Sequence, residues 1–227
     1  MMMGAPAGGA GVGAPGPGGR PRQPLIAVDV VPAFFDAATG LHFGTAVRAA
    51  DPAKGQLALP GVLLGEGERL REAAHRALEV KAGIAADAVR TLAQLHTFDE
   101  PGRESREHSV SVAYLAVVAP GPALASPADW KLASVRNLNL PFDHEAIIDF
   151  AREWMAARLW HDHGVTRALT GDTFTLAGAS DLSAALTGSA PHTASLRRQL
   201  LAPASGVVQT DETVPARGTP SRVWAWR

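Results

Sequence analysis

The chain has 227 residues, 46% of them apolar, with 21 Lys plus Arg against 22 Asp plus Glu, eight His and no Cys, giving a formal net charge of −1. That length suits one large domain or two small ones, and the near-neutral balance excludes a whole-chain positive field for nucleic acid or membranes while leaving room for a local basic patch. The absence of cysteine excludes disulfides, thiol nucleophiles and Cys-based metal sites, no apolar run approaches the ~20 residues of a bilayer span, and no signal peptide is read, so a soluble cytoplasmic protein without membrane partners is expected.

Residues 1–24 are Gly, Ala and Pro almost throughout, with Arg20 and Arg22 as their only charges. They cannot bury enough surface to offset chain entropy and are expected to be a disordered leader. From Leu25 the texture becomes β-rich, and residues 25–35 and 41–50 read as a hairpin around the turn-forming residues 36–40. A short third strand at 57–59 ends at Pro60-Gly61. Leu70, Ala73, Ala74, Ala77 and Leu78 then recur at helical spacing, with Gly83 as the stop. Residues 89–98 and 109–118 read as two further strands, 120–127 as a Pro- and Ala-rich connector, and 130–135 as one more strand.

After Pro141, a stripe of Phe142, Ala146, Ile147, Phe150, Trp154 and Ala157 predicts a helix to about His161 that joins two domains, its three aromatics serving as packing. The remainder holds two short helical patterns on either side of residues 187–191, then a strand pair at 206–209 and 222–226. The expected division is a domain over 25–138, a linking helix over 139–163 and a smaller domain over 164–227. The expected class is α+β.

Gly61, Glu68, Arg76 and Gly83, with a strand before and a helix after, resemble the frame of a Nudix box. The resemblance implies an α/β/α sandwich and, in its hydrolases, helix glutamates one turn apart that hold the divalent cations clamping a diphosphate. Here the three metal-binding positions carry Ala77, Val80 and Lys81, while Glu79 stands one position out of register, a rotation of about 100° from the neighbouring ligand face. The frame residues Glu68 and Arg76 remain, and the resemblance gives them the task of bracing the loop against the helix. No catalytic residue, metal or cofactor is therefore expected. Lys81 reads in two ways: as a cation substituting for the metal in anion binding, or as an ordinary helix-end lysine.

The loop containing Arg103 and Arg106, followed by the strand Val110-Ser111-Val112-Ala113-Tyr114, is similar to the Nudix domains of NrtR-type transcriptional regulators and their ADP-ribose-hydrolysing relatives. Candidate ligand-binding residues are Arg103, Arg106, Lys81 and Arg48. The same resemblance continues through Pro141-Phe142-Asp143-His144, a linking helix and a winged helix-turn-helix, whose recognition helix would be residues 192–201 and whose wing would close through Gly218, Pro220 and Arg222. Candidate DNA contacts are Thr193, Ser195, Arg197, Arg198, Arg217 and Arg222. From Ala190 onward five arginines face Asp211 and Glu212 alone, a local excess of +3 that suits phosphate tracking.

The resemblance implies a homodimeric regulator that binds double-stranded DNA and responds to a small phosphorylated or nucleotide-like effector, ADP-ribose or a sugar. One rival is a Nudix hydrolase for nucleoside diphosphate derivatives working through displaced carboxylates such as Glu66, Glu72 and Glu79. Another is a protein-interaction module whose arginines are merely solvated.

Overall fold

Strand β1 (Leu25–Asp36) carries apolar residues on both faces, as expected of a central strand covered on both sides. The computed structural model describes residues 23–104, 108–121, 128–132, 137–216 and 220–227. The leader to residue 22, Arg106, and Arg217 with the wing tip through Thr219 lie outside the described residues.

β1 runs parallel to β6 (Ser109–Val118) from Leu25↔Ser109 to Ala33↔Val117, and β6 pairs antiparallel with β5 (Val89–Phe98). On its other side β1 changes partner. Its first half pairs with β4 (Gly61–Leu63), Asp29 standing opposite Gly61, and its end pairs with β2 (Gly40–Val47). β2 in turn pairs with β3 (Leu57–Ala58) and β7 (Asp129–Leu132). The hairpin turn is set by Asp36, whose Oδ1 accepts from the backbone N–H groups of Ala38 and Thr39, both at 2.9 Å.

Alternation along β1 and β6 separates two cores. Val28, Val30, Phe34, Val112, Tyr114 and Ala116 face helix α1 (Leu70–Ala82), which lays Ala73, Ala74, Ala77 and Leu78 against the sheet. Alanine on that face lets the helix lie close. Gly83 closes α1 at φ 64°, its N–H donating to the Glu79 carbonyl and that of Ile84 to the Leu78 carbonyl, a C-terminal cap that relies on a residue without Cβ strain.

Val31, Ala33, Phe35, Ala113 and Leu115 face the other way, toward α2 (His144–Arg158), α3 (His163–Thr170) and α4 (Leu176–Thr187). Ile147, Met155, Val165, Leu169, Leu182 and Leu186 belong to the same apolar cluster as the sheet residues. The helices after the sheet are therefore packed onto it. Behind α4, strands β8 (Thr173–Thr175), β10 (Ser221–Trp226) and β9 (Val207–Val214) form an antiparallel sheet in the order β8-β10-β9. That sheet and α5 (Thr193–Leu201) enclose a small core of Ala179, Leu196, Leu200, Val207 and Trp224. The order α4, α5, hairpin, with β8 beside the hairpin, is that of a winged helix. No described helix is long and apolar enough to cross a membrane.

The structure corrects several local expectations. β4 was unexpected, because Pro60-Gly61 reads as a break when the strand that follows has three residues. α3 was also unexpected, and the linking helix ends at Arg158 with Trp160 at φ 64° forming the corner. The buried face of α2 is His144, Ile147, Ile148, Ala151, Arg152 and Met155, so the aromatic stripe does not mark it. Phe142 precedes the helix at φ 61°, while Ala146 and Ala157 are exposed. β9 extends to Val214, five residues past the expected end.

Leu182 is fully buried in the cluster shared by sheet and helices. Leu182→Ala is expected to cost about 2–5 kcal/mol in urea denaturation, with the change appearing in the midpoint rather than the slope.

Candidate functional site

The junction at which β1 changes partner places a carboxylate, Asp29, inside the fold at 6% exposure. A buried charge needs partners. Its Oδ2 accepts from the Ser111 hydroxyl at 2.6 Å and from Arg103 Nη2 at 3.3 Å, and its Oδ1 lies 3.8 Å from His144 Nε2. Gly61 is required opposite it, since a Cβ there would stand 2.1 Å from Asp29 Oδ1.

Arg103 is the hub of the group. Its Nε and Nη2 donate to the two oxygens of Asp143 at 2.9 and 2.7 Å, and its Nη1 reaches the Ser109 hydroxyl at 3.4 Å. Burial works against the guanidinium charge, but the hydrogen bonds and fields of Asp143 and Asp29 outweigh it, so its pKa is raised above the ordinary arginine value. His144 is buried beside this group, and its Nδ1 accepts the backbone N–H of Leu59 at 3.0 Å. That bond leaves the ring's proton on Nε2, toward Asp29. Burial pushes the His144 pKa down despite the pull of Asp29 and Asp143.

Above these residues opens a cavity of about 800 Å³ whose walls include Arg48, Arg76, Lys81, Arg103, Phe142 and His144. Three of the four predicted ligand residues, Arg48, Lys81 and Arg103, thus meet in one cavity, and the fourth, Arg106, lies outside the described residues. Arg48 donates from Nε to the Pro52 carbonyl at 2.8 Å and holds its guanidinium 4.9 Å from the Phe142 ring centroid. Lys81 sits exposed in the last turn of α1 and also lines the cavity.

The predicted Nudix frame has a physical basis residue by residue. Arg76 donates from Nε and Nη2 to both oxygens of Glu68, each at 2.7 Å, and Glu68 also accepts the Gly65 N–H at 2.8 Å. The Arg76 bonds hold the Glu68 carboxyl down at about 2.

A divalent cation does not fit this helix. Ala77 is fully buried against the sheet, Val80 and Lys81 offer no oxygen, and among the described residues no three His, Asp or Glu side chains are grouped to hold a metal. The displaced carboxylates do not line the cavity of Arg103 and Lys81. Glu66, Glu68 and Glu72 border an open groove that adjoins it across Leu63 and Arg76, where Glu72 accepts the Arg69 N–H at the helix start, and Glu79 lines neither space.

At the other end of the molecule, α5 buries Leu196 and Leu200 and exposes Thr193, Ser195, Arg197 and Arg198. With about 100° per residue, Arg198 lies directly opposite the buried pair and Arg197 on the flank. Arg222 is exposed on β10, its Nη1 3.6 Å from Asp211 of β9, and Arg217 lies outside the described residues. Sequence reasoning missed Asp29 and gave no site role to Asp143, His144 or Phe142. A carboxylate inside an apolar strand, Val28-Asp29-Val30, was the available signal.

This fold, with the Glu68–Arg76 brace at its loop-helix junction, is that of a Nudix domain joined to a winged helix. The chain matches the NUDIX domain family over residues 29–157 and belongs to that family. It is similar to Shewanella oneidensis NrtR, solved in complex with a 27mer DNA, with 25% identity and a TM-score of 0.73 over 89% of this chain and 93% of that one. The NUDIX domain of the same NrtR, solved with ADP ribose, is 26% identical with a TM-score of 0.50 over 61% of this chain and 94% of that one. An ADP-ribose pyrophosphatase of Methanocaldococcus jannaschii is 34% identical over 111 residues, 47% of this chain, and the match spans 63% of that relative's length.

The depressed His144 pKa has a measurable consequence. Below the unfolded-state value of about 6.5 the unfolded chain binds a proton that the folded chain resists, so stability is expected to fall as pH drops through that value. His144→Asn, whose Oδ1 can replace Nδ1 as the acceptor for Leu59, should show a shallower fall in urea denaturation between about pH 8 and about pH 5.5.

Proposed function

We propose that this protein is a ligand-responsive transcriptional regulator in which a Nudix-fold domain without hydrolase activity senses a phosphorylated effector and a winged helix binds DNA. The observation that carries the reading is α5, which buries Leu196 and Leu200 and leaves Thr193, Ser195, Arg197 and Arg198 exposed to solvent, with Arg198 opposite the buried pair. It is supported by the likeness to NrtR over both parts of the chain. A major groove admits such a helix, and a homodimer would place two of them on two half-sites in the cytoplasm.

The effector is an anion of the ADP-ribose class, in keeping with the ligand of the NrtR NUDIX domain. Lys81 and Arg48 supply the positive charge that a metal supplies in the hydrolases, and among the described residues neither is paired with a carboxylate. An ammonium and a guanidinium can hold a diphosphate without activating water against it, so binding is separated from hydrolysis. The pyrophosphatase relative supports a second reading, hydrolysis of ADP-ribose.

Purified protein with magnesium is expected not to hydrolyse ADP-ribose above background, as read by phosphate release coupled to phosphatase. Turnover lost in Glu79→Gln would establish the hydrolase instead.

For DNA, binding to the protein's own upstream region is compared with a scrambled duplex across a salt series. Arg198→Ala, which removes the side chain pointing away from the core, should relax base preference at a cost of about 1–3 kcal/mol. Arg197→Ala and Arg222→Ala should weaken both duplexes alike and flatten the salt slope. Equal weak binding of both duplexes by the wild type sinks the regulator reading.

A further inference from the structure

Asp143 occupies the N-cap position of α2, where an aspartate ordinarily accepts a backbone N–H of the first turn, yet its side chain makes no such bond. Both oxygens go instead to Arg103, at 2.9 Å from Nε and 2.7 Å from Nη2. This parallel fork is the arrangement in which a guanidinium binds a carboxylate or a phosphate. Arg103 so engaged lines the cavity that also holds Lys81 and Arg48. Asp143 is the more accessible of its two carboxylate partners, its side chain being 20% exposed against 8% for the side chain of Asp29.

We propose that Asp143 is a built-in stand-in for an anionic group of the effector: a phosphate entering the cavity takes Arg103 from Asp143, and the released carboxylate turns onto the first-turn N–H groups of α2. The proposal rests on the effector-cavity reading and deepens it by naming the group displaced and the helix that responds.

The exchange leaves no buried charge unpaired. Arg103 keeps an anion on its fork, and Asp29 keeps its bonds to Arg103 and Ser111. The released carboxylate gains the Glu145 or Ala146 N–H and the positive end of the helix dipole. A change in the first turn of α2 is not absorbed locally, because the face bearing Ile147, Ala151 and Met155 lies in the cluster that also holds Leu169, Leu182 and Leu186. At the far end of α2, Trp160 donates from Nε1 to Ser183 of α4 at 3.1 Å.

The test is calorimetric titration of ADP-ribose into full-length wild type, Asp143→Asn and Arg103→Lys, with amide hydrogen exchange of the wild type with and without ADP-ribose. Asp143→Asn, which removes the competing charge, should bind about 10-fold tighter, and Arg103→Lys, which keeps the charge and loses the fork, about 10-fold weaker. In the wild type, the Glu145 and Ala146 amides should exchange more slowly with ADP-ribose present. A gain in affinity cannot come from a damaged fold, so the asparagine variant separates displacement from mere support. Equal or weaker binding by Asp143→Asn, or unchanged exchange at both amides, overturns the displacement while leaving the cavity as an effector site. Absence of ADP-ribose binding by wild type and Asp143→Asn overturns both.

Discussion

One buried carboxylate organises this protein. Asp29 lies inside a strand whose neighbours on both sides are apolar, and removing an ion from water costs several kcal/mol unless partners replace the solvent. The chain provides them from distant places: Ser111 from the parallel strand, Arg103 from the loop before that strand, and a glycine opposite, where any side chain would collide. Arg103, itself buried, then requires a second anion, which α2 supplies as Asp143. The loop, two strands and the start of a helix are thereby fixed to one point by charge rather than by apolar contact.

Those partners explain which parts of the protein were legible in the sequence. Strands β5 and β6 begin and end at the bounds read from the sequence, and α1 follows its alanine and leucine spacing to Gly83, because each is a local pattern. Glu68 and Arg76, eight positions apart, announce themselves by fixed spacing. Asp29 and Arg103 are separated by 74 residues and Arg103 and Asp143 by 40, so no window along the chain contains the interaction. Arg103 could be recognised as an anion-gripping residue, but the anion it grips here is internal. The face of α2 was misread for a related reason. Its aromatics lie at the edge of the cluster, with Phe150 against His96 and Phe98, while the centre is taken by Ile147, Ala151 and Met155.

At the helix positions that hold metal in a Nudix hydrolase this chain has no oxygen ligand, while the frame around them is kept. Ala77 packs fully against the sheet, so the loss of a carboxylate there also removes a charge from the core, and the Glu68–Arg76 brace does not depend on any cation. The cavity that remains is lined by Lys81, Arg48, Arg76 and Arg103 together with the carboxylates of Asp29 and Glu104. Of the two cations outside the Arg103 group and the Glu68–Arg76 brace, Lys81 is a compact point charge and Arg48 a planar guanidinium, and salt screens the attraction of either for an anion.

Attraction and signalling are consequently different tasks. A ligand shifts a conformational equilibrium only through contacts that differ between the two states. Lys81 stands at the end of α1 and Arg48 beyond β2, elements that pack on the sheet and have no hydrogen bond to α2 among the described residues. Arg48 approaches the start of α2 through the face of the Phe142 ring, 4.9 Å away. Arg103 differs because its fork is shared with the first residue before α2, and α2 continues through the Trp160 corner to α4, which in turn packs Ala179 against Leu196 of α5. On the displacement proposed for Asp143, the chemical group that reaches Arg103, rather than overall affinity, would decide which anions act as effectors.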